Sequence, residues 1–311
     1  MLAKKRLQIE VDRFRQRFGD QPTRALQAVL SPEQLCQLVD EEIGDYRNRV
    51  YSPLTTLGLF IGQALSPDGA CQDAVARHLS ERTARHQPPC SLNTGPYGRA
   101  RQRIPETFVR RIAEDVGARL EQATSANWKW RGRSIKLMDG TTVSMPDTEK
   151  NQSVYPQSGV QKSGLGFPLA MLVGLISLST GAGLGWALGP CRGKQTGEQG
   201  LFRHLMPQLH PGDILLADRY HCTYFTVAQL RALGVDLVTR QHQRRITDFQ
   251  RGKRLGRRDH LIEWLRPKRP PWMTLDTYAS MPEKMMLRET EVAGRILVTT
   301  FPDPPVRKRG R

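Results

Sequence analysis

The chain has 311 residues, with 47 Lys and Arg against 30 Asp and Glu, a formal net charge of +17 and an isoelectric point of about 10.2. So strong a positive excess argues against an acidic ligand-buffering surface and for a polyanionic partner, because neutralising backbone phosphates releases their counterions. The five cysteines, Cys36, Cys71, Cys90, Cys191 and Cys222, are odd in number, widely spaced and without a Cys-x-x-Cys pair, which argues against a zinc ribbon and a disulfide framework and suits a reducing, cytoplasmic setting.

The N-terminus, Met1-Leu-Ala-Lys-Lys-Arg6, lacks the apolar core of a signal peptide. Residues 1–125 read as a helical, DNA-binding domain. Ser31-Pro-Glu-Gln34 is a capping-box pattern with proline at the first helical position. Ser52-Pro53 opens a second, Leu-rich helix. A third begins at Pro105 and carries Phe108, Val109, Ile112, Val116 and Leu120 on one stripe. Between them, residues 77–111 hold eight arginines against Glu81 and Glu106. Their middle, His86 to Pro96, is dense in turn residues and reads as a loop. A DNA-contacting helix–loop–helix and a solvated charged face are both compatible with that run.

Strand signals take over near Asn127. They fall at 134–138, 142–145, 168–178 and 184–188. A helix follows around Gly200 to Leu209, then a strand at 214–217, a helix from Thr223 to Leu233 and a strand from Val235 to Thr239. Strands alternating with helices predict a mixed α/β sheet. The stretch from Ser163 to Cys191 carries no charge, but its glycines, Pro168, Pro190 and the turn at 179–183 favour two buried strands over a membrane span. Residues 240–258 then carry eight Lys or Arg against Asp248, and Gly252 and Gly256 break any long helix. Leu261–Leu265, Met285–Val292 and Ile296–Thr300 read as further strands.

Two of these strands end in a carboxylate. The apolar run Ile135 to Met138 delivers Asp139 to a Gly turn, and Ile214 to Ala217 delivers Asp218. Two strand-end aspartates in a basic chain point to a Mg²⁺ site facing a phosphate backbone, since Mg²⁺ takes carboxylate, water and phosphate oxygens. The +7 excess at 240–258 makes Arg240, Arg244, Arg245, Arg251, Lys253 and Arg254 the candidate DNA-binding residues. His221 is predicted to pack or hydrogen-bond locally. Trp264 and Trp272 either stack on an unpaired base or form a small core. Asp147 is predicted to cap a turn.

Longer motifs carry a resemblance. Asp139-Gly-Thr-Thr-Val-Ser-Met-Pro-Asp-Thr148, with Asn151-Gln152 and Tyr155-Pro-Gln157, resembles the first acidic motif of the DDE transposases of the insertion-sequence-four group. Leu215-Leu-Ala-Asp218-Arg-Tyr-His-Cys-Thr-Tyr-Phe225 resembles the second. Thr239-Arg-Gln-His-Gln-Arg-Arg245 with Asp248-Phe-Gln-Arg-Gly-Lys-Arg-Leu-Gly256 is similar to the group's basic insertion, and Gly62–Gly69 and Leu92–Tyr97 also fit. The resemblance implies a ribonuclease H-like core, first at 126–240, interrupted by a basic β-rich insertion at 241–295 and resumed by a last strand and tail at 296–311. It implies three acids holding two Mg²⁺ ions, hydrolysis at the ends of a transposable element and strand transfer into double-stranded target DNA.

Asp139 and Asp218 match the first two acids. The third, a glutamate on a helix after the last core strand in a Tyr-Arg-rich motif, has no match. No glutamate occurs from Phe301 to Arg311, and Glu263, Glu289 and Glu291 all precede the last strand. The expectation is therefore a C-terminally truncated copy, third acid absent, that binds DNA, in the bacterial nucleoid and as a homodimer, but cuts and joins it poorly. A catalytically silent DNA-binding protein and a metal-dependent nuclease on the same fold are the alternatives.

Overall fold

The structure, a computed structural model, describes residues 26–47, 49–162, 164–193 and 196–301. The helical expectation for residues 1–25, and the tail from residue 302, lie outside these. Two compact units divide between Leu120 and Glu121.

The first unit is helical among its described residues. α1 (Pro32–Glu42) begins with the predicted capping box: the Ser31 hydroxyl accepts from the Gln34 N–H, and the Gln34 side chain accepts from the Ser31 N–H at 2.9 Å. α2 (Pro53–Leu65) is capped by Ser52, whose hydroxyl accepts from the Thr55 N–H without a reciprocal bond. α3 (Cys71–Ala84), α4 (Gly95–Gln102) and α5 (Glu106–Gln122) follow. Leu35, Leu38, Val39, Leu57, Phe108 and Ile112 form the core. The predicted loop before α4, which ran to Pro96, ends two residues earlier, at Thr94. Gly95 and Pro96 lie in the helix's first turn, where a proline's missing N–H costs nothing. Within the arginine-rich section, Arg77, Arg110 and Arg111 pair with Asp73, Glu106 and Asp115 one turn away. That part of the run is a solvated helical face.

The second unit is built on a nine-stranded mixed sheet, ordered β3-β2-β1-β4-β5-β9-β8-β7-β6. β1 is Ile135–Ser144, β2 Leu169–Ser177, β3 Gly183–Pro190, β4 Ile214–Ala217, β5 Asp236–Arg240, β6 Lys253–Gly256, β7 Asp259–Leu265, β8 Lys284–Val292 and β9 Arg295–Thr299. The fold class is thus mixed α/β. β2 and β3 account for the uncharged stretch. Among the described residues no helix is long and apolar enough to cross a membrane. The strands after residue 240 do not form a sheet of their own, because β9 pairs with β5 and leads β8, β7 and β6 outward as one continuous edge.

One expectation needs correction. The strands predicted at 134–138 and 142–145 are a single strand. Gly140 stays in register opposite Val173, so no turn forms there. The pairing of β1 with β4 ends at Leu137, so Asp139 lies two residues past it and in mid-strand with respect to β2.

α7 (Glu198–Leu205) and α8 (Tyr224–Ala232) cover one face of the sheet. Leu201, Phe202 and Leu205 from the first, and Val227 and Leu230 from the second, pack with Met138, Val173, Leu175, Leu215 and Leu237 of the strands. The same layer continues over β7 and β8 through Trp264, Met285 and Leu287, beside α9 (Leu275–Ser280) and its neighbours Met273 and Met281. α6 (Glu149–Val154) follows β1.

Lys136 lies on this buried face, 4% exposed. It bonds Glu121 in the last turn of α5, and the Ser177 hydroxyl donates to the other carboxylate oxygen. Burial alone raises the Glu121 pKa, but the bonds from Lys136 and Ser177 and the lysine's charge outweigh it, and the carboxyl is held below its ordinary range. A depressed carboxyl stabilises the fold above its unfolded pKa of 4.5, and that contribution is lost as pH falls through the lower folded value. We therefore expect Glu121→Ala, which strands a buried ammonium, to cost about 3–5 kcal/mol. The parent's thermal midpoint should fall more steeply with acidification below about pH 4.5 than that of a Glu121→Met/Lys136→Met variant.

Candidate functional site

The parallel register fixes the site. Ile135, Lys136 and Leu137 of β1 lie opposite Ile214, Leu215 and Leu216 of β4. Ala217 of β4 lies opposite Thr239 of β5. Continuing each register by one or two residues puts Asp139, Asp218 and Arg240 level on three adjacent strands. Alternation puts them on one face, the face opposite α7 and α8. Their end of β4 and β5 is the carboxyl end, where open α/β sheets take their ligands.

Both acids are exposed. Asp218 has extended backbone, φ −72° and ψ 168°, and its Oδ1 accepts the Tyr220 N–H at 2.5 Å. Its carbonyl accepts from the Thr239 hydroxyl at 2.7 Å, which ties the loop after β4 to β5. The Asp139 Oδ1 accepts its neighbour's N–H, that of Gly140, at 2.9 Å. Among the described residues, each carboxylate thus keeps one oxygen without a protein partner. That donor set fits a single Mg²⁺, which keeps several waters and needs few protein carboxylates. Among the described residues no group of three His, Cys, Asp or Glu could hold a metal ion.

Sequence reasoning missed Glu198, at the start of α7. Its side chain lies against Gly140, where a Cβ would come 2.8 Å from its Cγ and Cδ. Its Oε1 lies 2.7 Å from the Nε2 of His221, a fully buried ring set edge-on to Phe202 and Tyr220. Gly140 thus leaves space for a carboxylate rather than making a turn. His221 packs and hydrogen-bonds locally, as predicted. The missed signal was an acid in the first turn of an amphipathic helix, common enough on dipole grounds to pass unnoticed. Asp147 accepts from Gln152 at 2.8 Å rather than capping α6, a role held by Thr148.

The basic segment leaves β5 at the same end of the sheet. Arg240, Arg244, Arg251, Lys253 and Arg254 are exposed, and among the described residues none of them is in an ion pair. Arg245 is exposed too, but its guanidinium lies 3.6 Å from the centre of the Trp264 ring, and desolvation of the charge there lowers its pKa. It anchors the segment by a cation–π contact. Trp264 is 3% exposed and belongs to the core, so it is not free to stack on a base. The Trp272 ring is covered by Arg203 at 3.9 Å.

Glu289, Glu263 and Glu291 do not approach the two aspartates. Glu289 sits on β8, with β5 and β9 between it and β4, roughly 14 Å away at the usual strand spacing. It lies on the covered face, where it accepts from Gln241 at 3.0 Å and Trp264 at 3.2 Å, with His260 at 3.3 Å. Glu263 pairs with Lys284, and Glu291 with Arg258. Beside this network, burial pushes the Cys222 thiol up to about 12. It is no nucleophile at neutral pH.

The chain matches no protein-family model and no curated protein.

The path of the basic segment depends on Gly252, whose φ is +75° and whose position leaves no room for a Cβ, which would fall 2.1 Å from the Leu261 carbonyl oxygen. Gly252→Ala must move backbone, whereas Gly140→Ala needs only a side-chain shift of Glu198. We expect the first to cost at least about 2 kcal/mol and the second under about 1 kcal/mol. Thermal midpoints of the two variants, with limited proteolysis at the arginines of 240–258, check the contrast.

Proposed function

We propose that this chain is a DNA-binding protein of the DDE transposase type, with a ribonuclease H-like core whose two acids act on a phosphodiester. What supports it is the strand register, which continued past its last pairs sets Asp139, Asp218 and Arg240 level, beside a segment whose Arg244, Arg251, Lys253 and Arg254 are in no ion pair among the described residues. The motifs around Asp139 and Asp218, and the basic motif after Thr239, resemble those of the insertion-sequence-four group and agree with this reading.

In this reading the backbone of duplex DNA lies along Arg244, Arg251, Lys253 and Arg254, and Arg240 draws one phosphate toward the acids. Asp139 and Asp218 would hold Mg²⁺ through their unpartnered oxygens. When bound, Mg²⁺ polarises a phosphoryl oxygen and lowers the pKa of a water. The Thr239–Asp218 and Asp218–Tyr220 bonds fix the second acid's direction. The Gly140 edge sets the first. Clamping both attacking and leaving oxygens takes two ions, and two carboxylates are few ligands for that. The reading therefore includes tight DNA binding with slow cutting and joining. A silent DNA-binding role is the second reading, favoured because among the described residues no group of three His, Cys, Asp or Glu could hold a metal ion, the nearby Glu198 being bonded to His221 instead. A nuclease on the same fold differs from both in cutting without joining.

Neutralising Arg244, Arg251, Lys253 and Arg254 together should flatten the salt dependence of duplex binding, each lost phosphate contact removing about 0.9 from the log–log slope. An unchanged slope rules out the segment as the main contact. Incubation of the parent with supercoiled plasmid and Mg²⁺ should give slow nicking that Asp139→Asn and Asp218→Asn abolish. Nicking that survives both substitutions overturns the catalytic part of the proposal.

A further inference from the structure

The first unit carries a cleft that the two-acid site does not use. It is about 950 Å³, between the segment joining α1 to α2, the loop before α4, and α4 itself. Four arginines line it, Arg47, Arg49, Arg99 and Arg103, together with Tyr46 and Tyr51. Asp45 is the one acid among the lining residues.

α4 divides its arginines between two tasks. Arg101 turns inward, 4.6 Å from the centre of the Phe60 ring, and bonds the Gln63 side chain at 3.3 Å. Arg99 and Arg103, four residues apart on one helical face, are both exposed, and among the described residues neither is in an ion pair. Like charges at that spacing repel. An anion between them removes the repulsion and accepts several guanidinium N–H bonds. Ile43, Pro53 and Ile104 also line the cleft, as does Tyr46, an aromatic residue left 46% exposed.

We propose that this cleft binds an unpaired nucleotide of single-stranded DNA, its phosphate between Arg99 and Arg103 and its base on the Tyr46 ring. Duplex DNA presents phosphates on a convex surface with its bases stacked inside, and needs no concavity. A cavity of this size is on the scale of small-molecule sites. An acidic peptide would use the arginines but not the aromatic face. A nucleotide uses both, since every base has a face to stack and arginine favours the phosphate. The partner class rests on the nucleic-acid reading above. The site and its residues do not depend on the acids or the basic segment of the second unit.

The test uses the full chain and two fluorescein-labelled probes, single-stranded hexathymidylate and a blunt duplex, followed by anisotropy. Arg99→Gln/Arg103→Gln and, separately, Tyr46→Ala should each weaken hexathymidylate binding about ten-fold or more. Both should leave the blunt duplex within about two-fold. Neutralising Arg244, Lys253 and Arg254 should do the reverse. If that second-unit variant leaves duplex binding intact, the reading of the second unit fails while the cleft stands. The cleft proposal is overturned by parent-like hexathymidylate binding in both cleft variants, by equal losses for both probes, or by polyglutamate competing as well as unlabelled hexathymidylate. It is equally overturned if inorganic phosphate is bound as tightly as the oligonucleotide and Tyr46→Ala changes nothing, since the cleft is then a phosphate site only.

Discussion

The parallel pairing of β1 with β4 is the constraint from which the rest of the second unit follows. Three paired residues on each strand set the level of everything beyond them. Beneath the sheet the same register is held by apolar packing of Met138 and Leu215 against α7 and α8, and by Lys136 bonded to Glu121. A shift of one residue would turn Lys136 outward and Asp139 into the core, a double cost in buried charge. The acids' common face is thus enforced by the hydrophobic layer on the other side. β1 also outruns β4, since its pairing with β2 continues to Ser144. That leaves a free strand edge beside Asp139 where the loop after Asp218 and the side chain of Glu198 come in.

The basic segment follows a different logic. Its charge is exposed, but its course is set by buried polar groups. His260 bonds the Arg251 carbonyl at 2.6 Å, and Glu289 gathers Gln241, Trp264 and His260. Arg245 lies on Trp264. A few satisfied buried contacts hold a chain that would otherwise be dispersed by its own repulsion. The remaining cations are left for solvent or for phosphate. β6–β9 therefore extend the sheet beyond β5, and the charged segment leaves β5 at the carboxyl end of that strand.

Much of this was legible in the sequence. Ser31 and Ser52 before prolines announced α1 and α2, because capping is a local interaction. β4 stood at its predicted residues, Ile214–Ala217, since four apolar residues between Asp213 and Asp218 leave no other register. The unbroken course of β1 was not legible, because Asp139-Gly140 has turn chemistry, and only the pairing with Val173 and Gly174 of β2 overrides it. Nor was the fate of Arg245 and Trp264, whose contact joins residues far apart in the chain. Glu198 was invisible for the same reason: its meaning lies in Gly140, fifty-eight positions earlier in the numbering. The cleft of the first unit has no sequence signature, since it is lined from three separate segments.

The central claim, that register makes Asp139 and Asp218 one cation site, is tested most directly by titrating the full chain with Mn²⁺, a spectroscopic stand-in for Mg²⁺, and following the free ion by electron paramagnetic resonance. About one ion per chain should bind in the parent, held by few carboxylates. Asp139→Asn and Asp218→Asn should each abolish that binding, and Glu263→Gln, at the far edge of the sheet, should leave it unchanged. Parent-like binding in both aspartate variants would contradict the account.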